Sequence, residues 1–570
     1  MKYKKSYVKY SCIYKEKKSG ESMELVEAII RYRGDILAVA QDANVTIEVL
    51  DSNYAIVTMR VDQIQSLYAY PEVLFIELAK TVTYQLRAES INNCMQQMEQ
   101  QNRITGRQVI VGIIDSGIDY THPDFCNADG TSRILYFWDQ TGTNNPPKEF
   151  TIGTEYTNQQ LNEALRATDP FSLIPSLDQV GHGTAVTGIA CGNGSSSQGQ
   201  QRGIAPEATI IGVRLGTSDP DSNIKTTSIM RALQYILTRA MEANMPVAIN
   251  ISFGTNNGAH NGFSLFESYM NDASLQWKSV IVVATGNEGA KGQHYYGELQ
   301  QGQTQTVEFT ITQNLTAIEI TLWKDYVDDF SFTLIAPGGQ ITKTVSQANT
   351  TVTTMLQDTT ITIHYGMPSH YDILQEVTIT FHSPTSIVEG IWQLQVTGNT
   401  IYHGIFNAWL PTFAQVGSTA FLRPSPETTM TLPSTARNVI SVGAYDTVTG
   451  TLAAFSGAGY TSDIVYIKPD LVAPGVAINT TQMGGGYGIY SGTSVAAPFV
   501  CGASALLLQW GIVEKNDVML YGEKIKGILR KGATRSPLLS YPNGQWGYGI
   551  FCMQGALDVA NAYRQASDQG

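Results

Sequence analysis

Four short apolar runs, each bounded by turn residues, constrain the fold of this 570-residue chain most strongly. A run that is apolar at nearly every position is typical of a strand whose two faces are both covered. Between two of the runs, residues 231–243 follow the spacing of an amphipathic helix. Such alternation predicts an α/β fold with a parallel sheet and helices on both faces, with functional side chains at the carboxyl ends of the strands. The four runs are residues 109–114, 209–214, 247–252 and 280–284.

Three motifs, far apart in the chain, carry an acid, a base and a nucleophile in the order Asp, His, Ser. Asp115 ends an apolar run in Ile-Ile-Asp-Ser-Gly, His182 stands between two glycines, and Ser494 opens a long apolar stretch. This order is one of those known for serine-hydrolase triads. A serine hydroxyl is a good nucleophile only when a base takes its proton, and a buried carboxylate holds that base in the right tautomer. The motifs therefore predict a hydrolase with catalytic Asp115, His182 and Ser494.

With their flanking residues, these motifs resemble those of the subtilases, the S8-type, subtilisin-like serine proteases. The resemblance implies a subtilisin-like fold and serine endopeptidase activity. It implies that Asn287, in Ala-Thr-Gly-Asn-Glu-Gly, donates to the oxyanion hole together with the backbone N–H of Ser494. It also implies two edges that bind the substrate backbone as a strand. One edge is Ser252, Phe253 and Gly254, and the opposing edge is Arg214, Leu215 and Gly216.

An N-terminal domain is predicted at residues 23–85, where strand and helix patterns follow in the order β-α-β-β-α-β, a ferredoxin-like plan. Subtilase propeptides share this plan and act as intramolecular chaperones. Their C-terminal tail lies in the substrate cleft, where the enzyme cuts it, so we expect residues 81–89 to run through the active site. Autoprocessing is expected near Tyr84, Gln85 and Leu86, with Gln85 as the P1 residue. An ordinary regulatory or structural domain is the alternative.

Asn287 and Ser494 are separated by far more residues than a minimal subtilase core requires. Within this interval, residues 297–428 contain many short strand patterns with turn signals between them, which predicts an inserted all-β jelly roll. The catalytic domain is then expected at 86–296 and 429–570. This layout resembles that of the clostridial Csp germination proteases, which are thought to activate a cortex-lytic zymogen by limited cleavage. Some Csp members are pseudoproteases that lack triad residues, whereas all three residues are present here, so activity is expected.

Charge and composition narrow the choice of partners and location. The net charge is −13, and basic residues cluster only in the tail at 1–22, which argues against nucleic acid as a partner. That tail lacks an apolar segment, so no secretory signal is recognised, and no uninterrupted apolar run predicts a membrane span. Synthesis inside the cell and association with the spore fit the Csp resemblance, while export by another route stays open.

A calcium site is not favoured. Asp124 stands at the calcium-ligand position of subtilases, and residues 192–201 occupy the place of their calcium loop. This loop is rich in Gly, Ser and Gln, whereas calcium prefers several charged oxygen ligands. We therefore expect no metal and no cofactor.

The expected partners are a protein substrate and the chain's own propeptide, which either leaves after cleavage or stays docked. A secreted or scavenging subtilase and a partner-binding pseudoprotease remain the alternatives.

Overall fold

The structure is a computed structural model, and it describes residues 25–84, 104–216, 223–276, 278–312, 314–368, 372–462 and 466–568. Within these residues the chain divides into two compact units. One unit contains residues 25–80, Thr255–Leu265 and Ala290–Thr429. The other contains Thr81–Gly254, Phe266–Gly289 and Met430–Gly570. The expected basic tail at 1–22 lies outside the described residues.

The N-terminal domain follows the predicted β-α-β-β-α-β order. Its four strands form one antiparallel sheet in the order β2-β3-β1-β4. Asp35 caps the first helix by accepting hydrogen bonds from the backbone N–H groups of Leu37 and Ala38, as an N-cap carboxylate does. Apolar side chains from the sheet and both helices form one buried cluster. The elements are β1 (Leu25–Tyr32), α1 (Ile36–Ala43), β2 (Thr46–Leu50), β3 (Tyr54–Arg60), α2 (Ile64–Leu67) and β4 (Val73–Leu78).

An eight-stranded sheet is the centre of the second unit. Its order is β24-β23-β12-β10-β6-β9-β7-β8, and all neighbours are parallel except β7 and β8. The four apolar runs of the sequence form β6, β9, β10 and β12, whose near-complete burial explains why their sequences do not alternate. The strands are β6 (Ile110–Asp115), β7 (Ile134–Asp139), β8 (Thr154–Thr157), β9 (Thr209–Arg214), β10 (Val247–Ile251), β12 (Ser279–Ala284), β23 (Ile440–Tyr445) and β24 (Leu471–Pro474).

Helices and two short pairs of strands complete this unit. The helices are α3 (Asn158–Arg166), α4 (His182–Cys191), α5 (Thr226–Glu242), α6 (Leu265–Ala273), α8 (Thr493–Leu508), α9 (Gly522–Gly532) and α10 (Met553–Asp568). The short strands are β5 (Thr83–Tyr84), β11 (Phe253–Gly254), β25 (Ile478–Thr481) and β26 (Tyr487–Tyr490). This α/β architecture confirms the predicted subtilisin-like fold class.

Helix α8 is buried along its whole length and packs against β10, β12, β23 and α4. Together with the π turn that follows it, the segment Thr493–Val513 is the one described helix whose length and composition would let it cross a membrane. Its most apolar window is 94% buried inside the protein, as in a core helix. The long apolar stretch that follows Ser494 in the sequence predicts such a buried helix at 495–508, and the structure agrees.

The insertion forms a two-sheet β-sandwich, as predicted. One sheet has the order β13-β21-β15-β19-β18-β17 and the other β16-β20-β14-β22. Alternate residues of these strands point into one apolar core, which is the pattern expected for sheets covered on one face. The predicted boundary at 297 falls inside β13. The elements are β13 (His294–Glu298), β14 (Thr304–Ile311), β15 (Ala317–Asp325), β16 (Asp329–Ile335), β17 (Thr351–Leu356), β18 (Thr359–Tyr365), β19 (Leu374–His382), β20 (Gly390–Thr400), β21 (Ile405–Trp409), α7 (Phe413–Val416) and β22 (Ala420–Phe421).

Candidate active site

The predicted acid and base meet in the interior of the second unit. Asp115 is the last residue of β6 and His182 is the first residue of α4. Their side chains are fully buried, and His182 Nδ1 lies 2.5 Å from Asp115 Oδ1. The same oxygen accepts the backbone N–H of Ser116 at 2.8 Å. An ionised carboxylate only accepts hydrogen bonds, so the proton of the neutral imidazole belongs on Nδ1, and Nε2 then carries the lone pair that a general base needs.

Glycine makes the close approach of α4 to β6 possible. A Cβ atom at Gly183 would overlap the carbonyl oxygen of Gly117 and stand 3.0 Å from Cβ of Asp115. Any larger residue after His182 would therefore push the base away from the acid.

Ser494 lies in the first turn of α8 and is fully buried. A chain of hydrogen bonds fixes this turn against the end of β10. Asn250 Nδ2 donates to the Ser252 hydroxyl at 2.8 Å, and that hydroxyl donates to the carbonyl oxygen of Ser494 at 3.2 Å. The predicted substrate-edge residue Ser252 thus also positions the turn that carries the predicted nucleophile.

Asn287 lies beside the same turn, with its carboxamide held in one orientation. Its Oδ1 accepts hydrogen bonds from the backbone N–H of Thr493 at 3.0 Å and from the Thr493 hydroxyl at 3.1 Å. The hydroxyl in turn accepts the N–H of Gly286 at 3.0 Å. Because Oδ1 takes both donors, Nδ2 is the free end of the amide, and it has no acceptor in the described part of the chain. A half-buried donor beside Ser494 is suited to stabilise the oxyanion that forms when a serine at this position attacks a carbonyl group.

Asp178, which the sequence reading missed, ties the acid segment to the base segment. The carboxylate is fully buried, and Oδ1 accepts the Ser116 hydroxyl at 2.7 Å and the N–H of Gly181 at 2.8 Å. Oδ2 accepts the backbone N–H and the hydroxyl of Thr184 at 2.8 and 2.7 Å. The residue therefore holds the chain just after Asp115 against the start of the helix that begins with His182. The available signal was a carboxylate close before that helix, where an anion is stabilised by the helix dipole.

One of the two predicted substrate edges pairs with a segment of the chain itself. The edge residues Phe253 and Gly254 pair in antiparallel fashion with Tyr84 and Thr83 of the tail that follows the N-terminal domain. The buried Phe253 ring also stands edge-on to the His182 imidazole, with 6.5 Å between ring centroids. The chain thus places its own segment on the predicted edge, while Gln85, Leu86 and the remainder of the predicted tail lie outside the described residues.

The opposing edge is not where the sequence predicted it. On the other side of the tail, Val82 donates its N–H to the carbonyl oxygen of Ile224 at 2.9 Å, and Thr81 forms a bridge with Lys225. These residues directly precede α5.

Arg214, Leu215 and Gly216 lie instead at the end of β9. There the Arg214 guanidinium contacts Asp139 at 3.1 Å, and the N–H of Leu215 donates to the carbonyl oxygen of Asp115 at 2.8 Å. The sequence reading placed the opposing edge at the end of β9, whereas the residues that pair with the tail lie farther along the chain. The chain instead continues to Lys225 before the next helix begins.

The residues at the family's calcium position do not fit a calcium ion. Both carboxylate oxygens of Asp124 are engaged: Oδ1 accepts the N–H of Ser196 at 2.8 Å and Oδ2 accepts the Tyr487 hydroxyl at 2.7 Å. Burial, with a further contribution from Asp124, raises the pKa of Tyr487 to about 12, so this hydroxyl remains a donor at neutral pH.

A buried cation already stands beside this loop. The Arg133 guanidinium donates to the carbonyl oxygens of Asp124, Cys191 and Ala208 at 3.0, 2.8 and 2.7 Å. Within the described residues no three His, Cys, Asp or Glu side chains are grouped as a metal site would require.

Comparison with known proteins agrees with this geometry. Residues 106–366 and 419–549 match the profile of the subtilase family. The chain belongs to the subtilase family. Residues 4–80 match the Csp protease B prodomain. The CspB protease of Clostridium perfringens is 36% identical and has a TM-score of 0.76, and the match covers 83% of this chain and 97% of that one.

Two further proteases match at lower identity or over a shorter stretch. The PII-type proteinase of Lactococcus lactis subsp. cremoris is 23% identical over 82% of this chain. Subtilisin E of Bacillus subtilis is 37% identical over 20% of this chain and 28% of its own length. The chain spans only 26% of the lactococcal proteinase, so that protein extends far beyond the shared region.

We predict that Asp178→Asn lowers kcat by up to about 100-fold, because it replaces an acceptor of five donors with an amide that cannot accept them all, and a small displacement of the base is costly. The KM for a peptide substrate should change little, since the substrate edges are untouched. Steady-state kinetics with a chromogenic peptide measure both constants. Asp169→Asn, at an exposed carboxylate in the same connection, is the matched control, and equal kinetics for the two variants would contradict the role of Asp178.

Proposed function

We propose that this chain is a serine endopeptidase in which Asp115, His182 and Ser494 form the catalytic triad. The observation that supports this most directly is the buried contact of 2.5 Å between Asp115 and His182, in the same unit as the turn that carries Ser494. His182 Nε2 takes the proton of the Ser494 hydroxyl as Ser494 Oγ attacks the scissile carbonyl. Asp115 stabilises the imidazolium that results, and His182 then returns the proton to the leaving amine.

The negative charge of the tetrahedral intermediate falls on the former carbonyl oxygen. In the proposed mechanism Asn287 Nδ2 and the backbone N–H of Ser494 donate to that oxygen. The hydrogen bonds from Thr493 to Asn287 Oδ1 support this, because they fix the donor before the substrate binds and little reorganisation is needed in the transition state.

We predict a graded loss of activity across this machinery. In subtilisin, a member of the same family, loss of the asparagine donor lowers kcat about 10²–10³-fold and loss of the serine about 10⁶-fold. Asn287→Ala should therefore leave a weak enzyme and Ser494→Ala essentially none, measured by peptide hydrolysis and by labelling with a fluorophosphonate probe. Ser504→Ala, a buried serine farther along α8, is the control and should keep full activity. Wild-type protein that neither hydrolyses peptides nor takes the label would instead be a pseudoprotease.

We further propose that the chain cuts itself after Gln85. The antiparallel register supports this position, because Gly254 faces Thr83 and Phe253 faces Tyr84. Ser252, the edge residue before Phe253, donates its hydroxyl to the backbone carbonyl of Ser494. This end of the edge therefore contacts the turn that carries the proposed nucleophile, which favours cleavage just beyond Tyr84.

For the purified wild type we predict a new N-terminus at Leu86, read by intact mass and N-terminal sequencing. Ser494→Ala should stay uncut and Ser504→Ala should be cut like the wild type. Cleavage of pure Ser494→Ala protein at the same bond would contradict autoprocessing, and a wild-type N-terminus elsewhere would contradict the register.

The 36% identity to the CspB protease and the prodomain match support a more specific role. We propose limited proteolysis of a protein zymogen during spore germination, by a protease associated with the spore. Incubation with the pro-form of a cortex-lytic enzyme should give one cut and an active product. Broad degradation of unfolded casein, with the pro-form left intact, would favour a scavenging protease.

We propose that the subtilase calcium position is not used in this chain. The engagement of both Asp124 oxygens and the presence of the Arg133 guanidinium support this. The melting temperature should then be unchanged by EGTA or by added calcium, whereas Arg133→Met should lower it. Arg107→Met, at an exposed position, is the control. A shift of several degrees on adding calcium would overturn this proposal.

We also propose that the prodomain stays docked after cleavage. Its support is the strand pairing of the tail at Thr83–Tyr84, which cleavage after Gln85 would leave intact. A cleaved enzyme would then be held back by its own product, and copurification of the N-terminal fragment is the expected sign.

A further inference from the structure

The sandwich sheet that contains β15 and β19 has an unusual outer face. Its inner residues are apolar and buried, while Glu319, Thr321 and Trp323 alternate with them on the opposite face of β15. The register places Glu376 of β19 directly opposite Trp323, so this glutamate belongs to the same outer face. An outer face of an antiparallel sheet is normally solvated, yet all four side chains are partly or fully buried here.

The end of the prodomain and the segment Thr255–Leu265 contact this face, all within one compact unit. The ammonium group of Lys80, at the end of the prodomain match, lies 5.9 Å from the centre of the Trp323 ring. Asn257 Nδ2 donates to Glu319 Oε1 at 2.5 Å. Glu77 of β4 accepts the backbone N–H of Leu265 at 2.8 Å. We call Glu77, Lys80, Asn257, Glu319, Trp323 and Glu376 the prodomain junction.

Charge is not balanced in the prodomain junction. Among the residues that the structure describes, three carboxylates, those of Glu77, Glu319 and Glu376, share the ammonium group of Lys80. Hydrogen bonding is also incomplete, because three buried polar atoms have no partner in the described part of the chain: Glu77 Oε1, Thr321 Oγ1 and Trp323 Nε1. Burial of like charges without full pairing opposes docking, and protonation of a carboxylate removes part of that cost.

We propose that the prodomain junction is a proton-dependent latch: the prodomain is held on the sandwich while the carboxyl group of Glu376 is protonated, and ionisation of that group loosens it. This rests on the proposed retention of the prodomain after cleavage. The step is an acid–base equilibrium in which the proton passes to solvent. The repulsion that follows comes from Glu319 and Glu77.

The direction of the pH dependence follows from the environment of Glu376. Burial raises its pKa to about 7; Lys80 opposes this shift, and Glu319 and Glu77 add to it. On the neighbouring strand β18, His364 pairs with Thr378 on the same face, and burial lowers the pKa of this imidazole. Burial also raises the pKa of Glu319, against the hydrogen bond from Asn257. Undocking would return Glu376 to water and to an ordinary pKa of about 4.3. Docking is therefore fully stabilised below about pH 4.3 and loses that stabilisation as the pH rises through about 7.

The test measures how fast the cleaved prodomain leaves the enzyme. Wild-type protein is allowed to cleave itself to completion, is immobilised through its C-terminus and is washed at pH 5.5 or 8.5, and the retained fragment is followed by intact mass. Release should be on the order of tenfold faster at pH 8.5, since each unit of pKa difference corresponds to a tenfold change in equilibrium. Glu376→Gln, which mimics the protonated group, should be released slowly at both pH values.

Two further variants keep the test decisive. Glu319→Gln should also slow release at pH 8.5, which serves if Glu376→Gln folds poorly. Glu389→Gln, an exposed glutamate of the same sandwich, should behave like the wild type. Equal wild-type rates at both pH values would overturn the latch. So would an unchanged pH dependence in Glu376→Gln and Glu319→Gln, because the titrating group would then lie elsewhere, for example in the cleft.

Failure of self-cleavage is distinguishable from failure of the latch. If the wild type shows no cleaved fragment, the retention proposal fails, and the latch is read from uncleaved Ser494→Ala protein by hydrogen exchange. Protection of the Leu265 amide, corrected for the intrinsic rate, should fall on the order of tenfold from pH 5.5 to 8.5. In the double variant, which carries Glu376→Gln in addition to Ser494→Ala, protection of the Leu265 amide should be the same at both pH values. The same pH dependence in the single and the double variant would overturn the proposal.

Discussion

The buried contact between Asp115 and His182 is the constraint on which the rest of the catalytic unit depends. It requires the end of β6 and the start of α4 to meet at hydrogen-bonding distance in the interior, which in turn requires glycine at position 183. Asp115 Oδ1 is held by the His182 ring and by the N–H of Ser116, whereas Oδ2 has no hydrogen-bond partner in the described part of the chain. Asp178 is a second buried carboxylate near this contact. It accepts hydrogen bonds from Ser116, just after β6, and from Thr184, in the first turn of α4, and so holds the two segments together.

The sequence was sufficient for the parts of this site that depend on local patterns. Fully apolar runs predicted buried parallel strands, and Asp115 could be placed at a strand end because the run stops there. The same reasoning did not find the edge at Ile224 and Lys225 that pairs with the tail, because this pairing depends on where the chain lies after β9 and not on its residue types. Asp178 escaped notice for a related reason: its donors come from Ser116, Gly181 and Thr184, and the Ser116 contact is long-range.

The tail at Thr81–Tyr84 follows the N-terminal domain and pairs with a predicted substrate edge. It lies between two backbone edges and gains main-chain hydrogen bonds that do not depend on its side chains. Recognition by strand addition is therefore compatible with a second substrate of different sequence, provided that it can adopt an extended conformation. A tail that stays in place excludes such a substrate, so what controls the departure of the prodomain also controls access to the proposed nucleophile.

Alternation along β15 identifies which residues face outward, but it cannot say what covers them. By pattern alone, Glu319 belongs to a solvated surface, and only the fold places it under Asn257 and near Lys80. Apolar side chains would make a more stable contact, since buried carboxylates oppose association unless each is paired. A junction with more carboxylates than cations is instead suited to a contact that is formed first and given up later. This is what a prodomain must do if it first assists folding and then leaves the active site.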